Sequence, residues 1–494
     1  MDKKIRISAV AAMLFLLAML AGCGGKETVS PGFVRGEDWQ YPYMDEFPQN
    51  QKLAEDEDGA VYFMSGSYIF KHDPATKTTL PLCNRPNCLH NQETDARRRE
   101  ECYAFLPLGN LVEKTGGGVA YCKGEVLAYY SEMGSKSEGI RVDAISRDGG
   151  SRRVVQRLPY APESFAVHRG KVYFSYGYFD EEGHGHTEVG SFGLFGGGID
   201  VLYNMPVDAH TGPILLFPVG NAVYYTFYGK LGEEEGESRS FLFRYDILKK
   251  ENREIRLTET EKCGYISGIV GLKERVLVDA ALTPASKEGG PRHVLFALDS
   301  SGNSQGLFAE DVPSRFYSDG ERLYLSESGT KEAEWVSRLT SLGELREEVG
   351  LKDGKKDAEE KAEGYEPESA SEEEIDHECK VMIMDPSGRA VGSFTEEMRM
   401  TAGGMPYYDI CFGVGNYGYL LQQISAFGGS VLYRVDKAKM KDLQGGLLPM
   451  EKVSEIFLSP ADQDMIGDAQ MDIKTIPGYI YENRQLHAGK DKAE

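Results

Sequence analysis

DGAVYFMSGSYIFKHDPATKTTLPL, from Asp58 to Leu82, consists of three short β-rich runs separated by turn residues. Val61, Tyr62 and Phe63 follow an Asp-Gly turn, and Tyr68 to Phe70 form the second run. Asp73-Pro74-Ala75-Thr76 turns the chain again before Thr78 to Leu82 closes the unit. A two- or three-stranded module this small cannot bury its faces alone, so it needs neighbours.

The chain supplies them. The same order of hairpin, strand, turn and closing run returns at VAYCKGEVLAYY (Val119–Tyr130), FAVHRGKVYFSYGYF (Phe165–Phe179), NAVYYTFYG (Asn221–Gly229), YISGIVGLKERVLVDAAL (Tyr265–Leu282), FYSDGERLYLSES (Phe316–Ser328) and YYDICFGVGNYGYLLQQI (Tyr407–Ile424). In the third unit the later strands are read as VLYNMPVDAHTG and ILLF. Most units turn at an aspartate before the closing run: Asp73, Asp148, Asp208, Asp246, Asp299 and Asp436. Counting both arms of each opening hairpin, the fuller units hold four short strands at a period of roughly 45 residues, the signature of a β-propeller. The expectation is an all-β propeller of seven blades, with six or eight as alternatives, whose ring closes when a terminal strand completes a blade. A β-sandwich is the rival, but it would not return one strand order seven times.

The ends of the chain carry an address. Lys3, Lys4 and Arg6 precede an apolar run from Ala9 to Leu20, shorter than the roughly 20 residues needed to cross a membrane, as in an export signal. LAGC, Leu20 to Cys23, follows directly and resembles the lipobox at which bacterial lipoproteins are cleaved and their cysteine acylated. Residues 1–22 are therefore read as a signal peptide, Cys23 as the lipidation site, 23–50 as a Gly- and Pro-bearing tether, 51–482 as propeller and 483–494 as a polar tail. The expected location is the extracytoplasmic face of the cell membrane, held by acyl chains. Removing residues 1–22 takes away a net charge of +2 from −23, leaving −25. That acidity argues against nucleic acid as a partner.

Between Asp353 and Glu378 twelve of 26 residues are Asp or Glu, a composition that cannot form a packed core and reads as a disordered insertion in the sixth unit. Its carboxylates lack the alternating spacing of a calcium loop. Lys380 to Phe394 resumes the strand pattern, leaving open whether this run or Trp335 to Leu342 is that unit's third strand.

The densest chemistry is LCNRPNCLHNQETDARRREECYAF, which places Cys83, Cys88, His90 and Cys102 within twenty residues. Three thiols and an imidazole are the ligand set of a closed structural zinc site. An exported protein can instead oxidise such cysteines, so one disulfide with a spare thiol, or neither arrangement, stays open. Each reading assigns the cluster the same task of pinning a long loop between the first two units.

LC-x-x-P-x-C-x-H followed by C-x-A, behind a lipobox and a propeller-like hairpin, resembles the TolB-like propeller lipoproteins of anaerobic Gram-positive bacteria. Cys83, Pro86, Cys88, His90, Cys102 and Ala104 carry that resemblance, while Arg97, Arg98 and Arg99 lengthen the spacer before Cys102. It implies a binding or assembly scaffold.

Other constellations are weaker. His184 and His186, with Glu182 and Glu188, form an H-x-H group read as lying in an exposed loop. GLFGGG (Gly193–Gly198) lacks the Lys-Ser/Thr of a phosphate loop and reads as a turn, and no G-x-S-x-G elbow is present. The expected function is a membrane-anchored module that binds or scaffolds a protein, peptide or glycan. The alternative is an extracellular carbohydrate hydrolase or lyase with carboxylates gathered at the channel mouth from different units.

Overall fold

Alternating β-branched and aromatic residues punctuated by Asp-Gly and other glycine-bearing turns favour short antiparallel strands, and a computed structural model shows 28 of them among the residues it describes. It describes residues 53–462 except 109–117, 132–139, 207–214, 230–238, 258–262, 283–291, 328–375, 400–407 and a few shorter gaps. The strands form seven four-stranded antiparallel sheets. Cys23, the proposed tether, Asp208, His184 and the segment Trp335–Leu342 lie outside the described residues.

Blade 1 comprises β1 (Leu53–Glu55), β2 (Val61–Ser65), β3 (Tyr68–Asp73) and β4 (Thr78–Pro81). Blades 2 to 7 repeat it as β5–β8 (118–158), β9–β12 (164–206), β13–β16 (216–255), β17–β20 (263–310), β21–β24 (315–399) and β25–β28 (408–456). The first strand of each blade is innermost, and β1 meets both β5 and β25, so the sheets form a ring. Inner strands are more buried than outer ones: β1 and β2 are buried at every position, whereas β4 alternates exposed and half-buried residues. Side chains from the two faces of each blade fill the space against its neighbours, with Tyr62, Tyr68, Tyr224 and Tyr324 fully enclosed.

The aspartates repeat for a local reason. At the turn between third and fourth strands, Asp73, Asp148, Asp246, Asp299, Asp385 and Asp436 each accept hydrogen bonds from backbone N–H groups two to four residues on. Those donors replace the ladder bonds that the turning backbone has lost. Asp385 accepts from Ser387 and Arg389 and is held down to about 2. Blade 3 departs from the rule, turning instead on Leu194 to Ile199, where Gly196 and Gly197 adopt φ of 115° and 116°.

Three expectations change. The third strand of blade 3 is β11 (Gly185–Gly193), its fourth is β12 (Asp200–Pro206), and the run read as ILLF instead opens blade 4 as β13 (Leu216–Val219). The polar sequence GHTEVGSFG conceals β11, although its Thr187, Glu188 and Ser191 are buried. In blade 6 the third strand is β23 (Asp376–Met384), paired with β22 (Leu323–Glu327), so Asp376 to Glu378 belong to a strand and not to the acidic insertion.

Closure differs most. Blades 1 and 7 are each contiguous in sequence, and among the described residues no terminal strand is exchanged between them. The chain beyond β28 returns to blade 1 instead. Asp462, 2% exposed, accepts from the Ser67 amide at 2.8 Å and from the Ser459 amide and hydroxyl at 3.0 and 2.6 Å. Gly66 makes room for it: φ is 55°, and a Cβ there would lie 2.5 Å from the Asp462 carboxylate.

Candidate metal centre

The link from β4 to β5 leaves blade 1 at the end of the sheet where the β2–β3 turn lies, because strand direction alternates along the blade. Cys83 follows β4 directly. Pro86 and Asn87 then reverse the chain, with Asn87 in the left-handed region at φ 59°, a conformation asparagine tolerates well. His90 is also left-handed, at φ 53°, and opens a 3-10 turn, His90–Gln92. A short helix, α1 (Ala96–Glu100), is capped by Asp95, whose side chain accepts from the amides of Arg97 and Arg98. Its end returns Cys102 to the first knuckle through Cys102 N–H to Arg99 C=O at 2.9 Å.

One ligand atom from each of Cys83, Cys88, His90 and Cys102 lies within 4.8 Å of every other. His90 Nδ1 stands 3.8 Å from Cys102 Sγ. A tetrahedral zinc with Zn–S of ~2.3 Å and Zn–N of ~2.0 Å separates its ligands by roughly 3.5–3.8 Å, so a small contraction would complete a shell. All three sulfurs are free thiols.

Backbone donors favour charge on the sulfurs. Cys83 accepts from the Arg85 and Tyr103 amides, Cys88 from His90 and Cys102 from Ala104, so each sulfur meets the N–H two residues further on. The Cys102 thiol's hydrogen bond holds Cys83 down to about 4, and Cys102 itself rises because it shares its proton with Cys83 in a buried site. Burial raises Cys88. Thiols arranged to accept N–H bonds and crowded enough to repel one another once ionised form a donor set that suits a soft divalent cation. Four protein ligands close the shell, which suits a structural ion and leaves no open position for catalysis.

Both adjacent blades grip this loop. On blade 1, Ile69 N–H donates to Ala104 C=O at 3.0 Å and Leu106 N–H to Ser67 C=O at 2.8 Å. On blade 2, Asn84 N–H donates to Gly149 C=O at 3.0 Å, and Arg152 on β8 (Arg152–Leu158) reaches the carbonyls of Tyr103 and Phe105. Arg152 is itself fixed by the fully buried Asp143, at 2.8 Å, and by the Tyr130 hydroxyl at 2.7 Å. Gly149, at φ 73°, sits so close that an added Cβ would come within 2.7 Å of the Cys83 nitrogen. No local pattern marks Arg152 or Gly149 as parts of this assembly, since nothing pairs the turn after β7 (Ile140–Ser146) with a loop in the preceding blade connection.

Of the H-x-H group, whose His184 lies outside the described residues, the described members are engaged with neighbours. His186 lies on β11, where Nε2 meets Asp180 at 3.0 Å and Nδ1 meets Asn204 at 3.3 Å. Its hydrogen bond to Asp180 raises its pKa. Glu188 is committed to the Tyr176 hydroxyl at 2.9 Å. Of the carboxylates sought for hydrolysis, Glu55 is the only one among the described side chains of the innermost strands.

No protein-family model matches the chain, and no curated protein is similar to it in sequence. Solved structures similar in fold include the tricorn protease, at TM-score 0.45 and 10% identity over 85% of this chain and 35% of that one. The β-propeller domain of the Trilobed protease from Pyrococcus furiosus, described as having an open velcro topology, gives TM-score 0.38 and 7% identity over 85% and 96%. Prolyl oligopeptidase B from Galerina marginata gives 0.41 and 9% over 87% and 52%. The chain thus spans about a third of the tricorn protease, and each likeness concerns the fold alone.

Proposed function

We propose that this protein is a lipid-anchored extracytoplasmic propeller that binds or scaffolds a protein, peptide or glycan, and that a structural zinc staples its first two blades together. The convergence of Cys83, Cys88, His90 and Cys102, with an N–H donor to every sulfur, supports the zinc. The zinc would neutralise thiolate charge and stiffen a loop of about 36 residues between β4 and β5, leaving the ring to present its exposed connections to a partner. Export and anchoring are supported by the basic start, the short apolar run and the LAGC sequence ending at Cys23.

Two measurements test the halves separately. Cys23→Ser should move the protein from the membrane to the soluble fraction; retention through a salt wash would contradict the anchor. Chelation should open the segment between Cys83 and Cys102 to protease while the remaining blades stay resistant, because blades contact mainly their neighbours. Unchanged resistance would contradict a metal staple.

A further inference from the structure

Elsewhere around the ring the chain passes directly from one blade to its neighbour, but the seam between blades 7 and 1 joins the two ends of the propeller. Among the described residues it is held by the Asp462 contact and by side-chain packing. Leu53, Val61 and Phe63 of blade 1 meet Tyr419 and Leu421 of β26 (Tyr417–Ser425) and Leu432 of β27 (Gly428–Asp436) in one apolar cluster. A histidine is set into that packing. His72 on β3 is 1% exposed, its Nδ1 lies 3.0 Å from the Thr79 hydroxyl, and its ring meets Tyr419 edge-on with centroids 6.1 Å apart. Nε2 is buried with no hydrogen-bond partner among the described residues.

The charges around His72 disfavour a proton on it. From blade 7, the buried Arg434 stands opposite Tyr419 in the sheet, with its guanidinium 4.5 Å from the Tyr417 ring centroid and paired at 2.5 Å with the exposed Glu451 of β28 (Glu451–Ile456). Within blade 1, Lys71 and Asp73 alternate to the other face, where Lys71 donates to the Arg147 carbonyl and Asp73 caps its turn; Lys77 is exposed in that turn, on the Glu451 side. Val61 and Thr79 flank His72 across the sheet without charge, and Glu55 shares their row only beyond Val61, two strand spacings or roughly 10 Å away. Burial and Arg434 together hold the imidazole below its ordinary range, against the pull of Asp73 and Glu451.

We propose that the seam between blades 7 and 1 is an acid-sensitive latch, closed while His72 is neutral and loosened when a proton at Nε2 sets an unpaired imidazolium opposite Arg434. The apolar packing offers the new N–H no acceptor, so the charge is relieved only when the blades part and water reaches the ring. Because the folded pKa is the lower one, the contribution of neutral His72 is fully present above the unfolded value of ~6.5 and is lost as pH falls below it. Asp462, whose pKa is raised in the folded chain, responds in the opposite sense and does not produce an acid loosening.

The latch stands apart from the zinc, the anchor and the binding-module reading. Hydrogen exchange of the full chain in detergent, expressed as protection factors at pH 7 and pH 5, tests it, because a blade that loses its neighbour's face opens to exchange as a unit. Protection in β2, β3, β26 and β27 should fall about three- to 25-fold, the upper figure being the limit for one group with an unfolded pKa of ~6.5, while blades 3 to 5 keep theirs. His72→Phe, which keeps a ring in the seam without a titrating nitrogen, should abolish the fall. His72→Gln, which can still reach Thr79, should do the same and serves if the phenylalanine variant does not fold. Arg434→Met removes the opposing cation and frees Glu451, so the fall should shrink by about half or more. A fall below about threefold in the parent, an equal fall in all the blades, or an unchanged fall in any of the folded variants would overturn the proposal.

Discussion

Gly149 and Cys83 approach so closely that a single methyl group tests the clamp. Gly149→Ala adds both a clash with the Cys83 backbone and a strained positive φ. A loss of about 1–3 kcal/mol is expected on denaturant unfolding, with zinc released at lower chelator concentration than from the parent. Parental stability and zinc retention would show that the two backbones can part without consequence. Asp462 gives a second test, with a definite sign. Burial raises its pKa above the ordinary carboxylate value despite three hydrogen bonds. A raised folded pKa means that protonation favours the folded chain: this contribution is fully present below the unfolded value of ~3.9 and is lost as pH rises through the folded value. Asp462→Ala should cost about 1–3 kcal/mol through the orphaned Ser67 and Ser459 donors. Between pH 4 and 7 the parent should lose more stability than the variant, and a parallel pair of pH profiles would refute the assignment.

At the scale of elements, the link between blades 1 and 2 is held from three directions: by its own four-residue cluster, by the β2–β3 turn of blade 1, and by Arg152 of blade 2. Arg152→Ala leaves the Asp143 carboxylate, at 0% exposure, with the Arg141 guanidinium and the Tyr130 hydroxyl but without its second cation, and a cost of about 1–3 kcal/mol is expected from the lost charge-assisted hydrogen bonds. The same variant should admit protease near Tyr103; an intact link would mean the blade 1 contacts suffice. Removing residues 353–375, by contrast, should cost less than about 2 kcal/mol, since that stretch holds few apolar residues to bury and stops short of β23. A larger loss in thermal unfolding would show that it packs.

Across the whole molecule, the ring was legible because its information is local and repeated: a hairpin, an Asx-capped turn and a period-2 apolar pattern recur in nearly every blade. Asp385 in MDPSG marks its turn as clearly as Asp73 does, and Tyr62 and Tyr324 bond to Asp56 and Asp319 at the corresponding opening turns of blades 1 and 6. The cysteine cluster was legible for the same reason, its ligands lying within one short stretch. What stayed hidden is non-local or inverted in polarity. β11 buries Glu188 and Thr187, so its pattern reads as a loop, and the return of Asp462 to Ser67 joins positions 395 residues apart. No sequence window contains both partners of such a contact. Among the described residues the chain returns to blade 1 through this Asp462–Ser67 contact, without the terminal strand that was expected to close the ring.

The central claim is that Cys83, Cys88, His90 and Cys102 hold a zinc ion that staples two blades, and elemental analysis of the purified full chain beside thiol titration under denaturing conditions tests it most directly. Eight cysteines less Cys23, which the proposed lipid anchor occupies, leave seven to titrate. The account predicts about one zinc per chain with all seven thiols reactive, falling to well below one in His90→Ala. A metal-free parent with five reactive thiols would replace the zinc with a disulfide and contradict it.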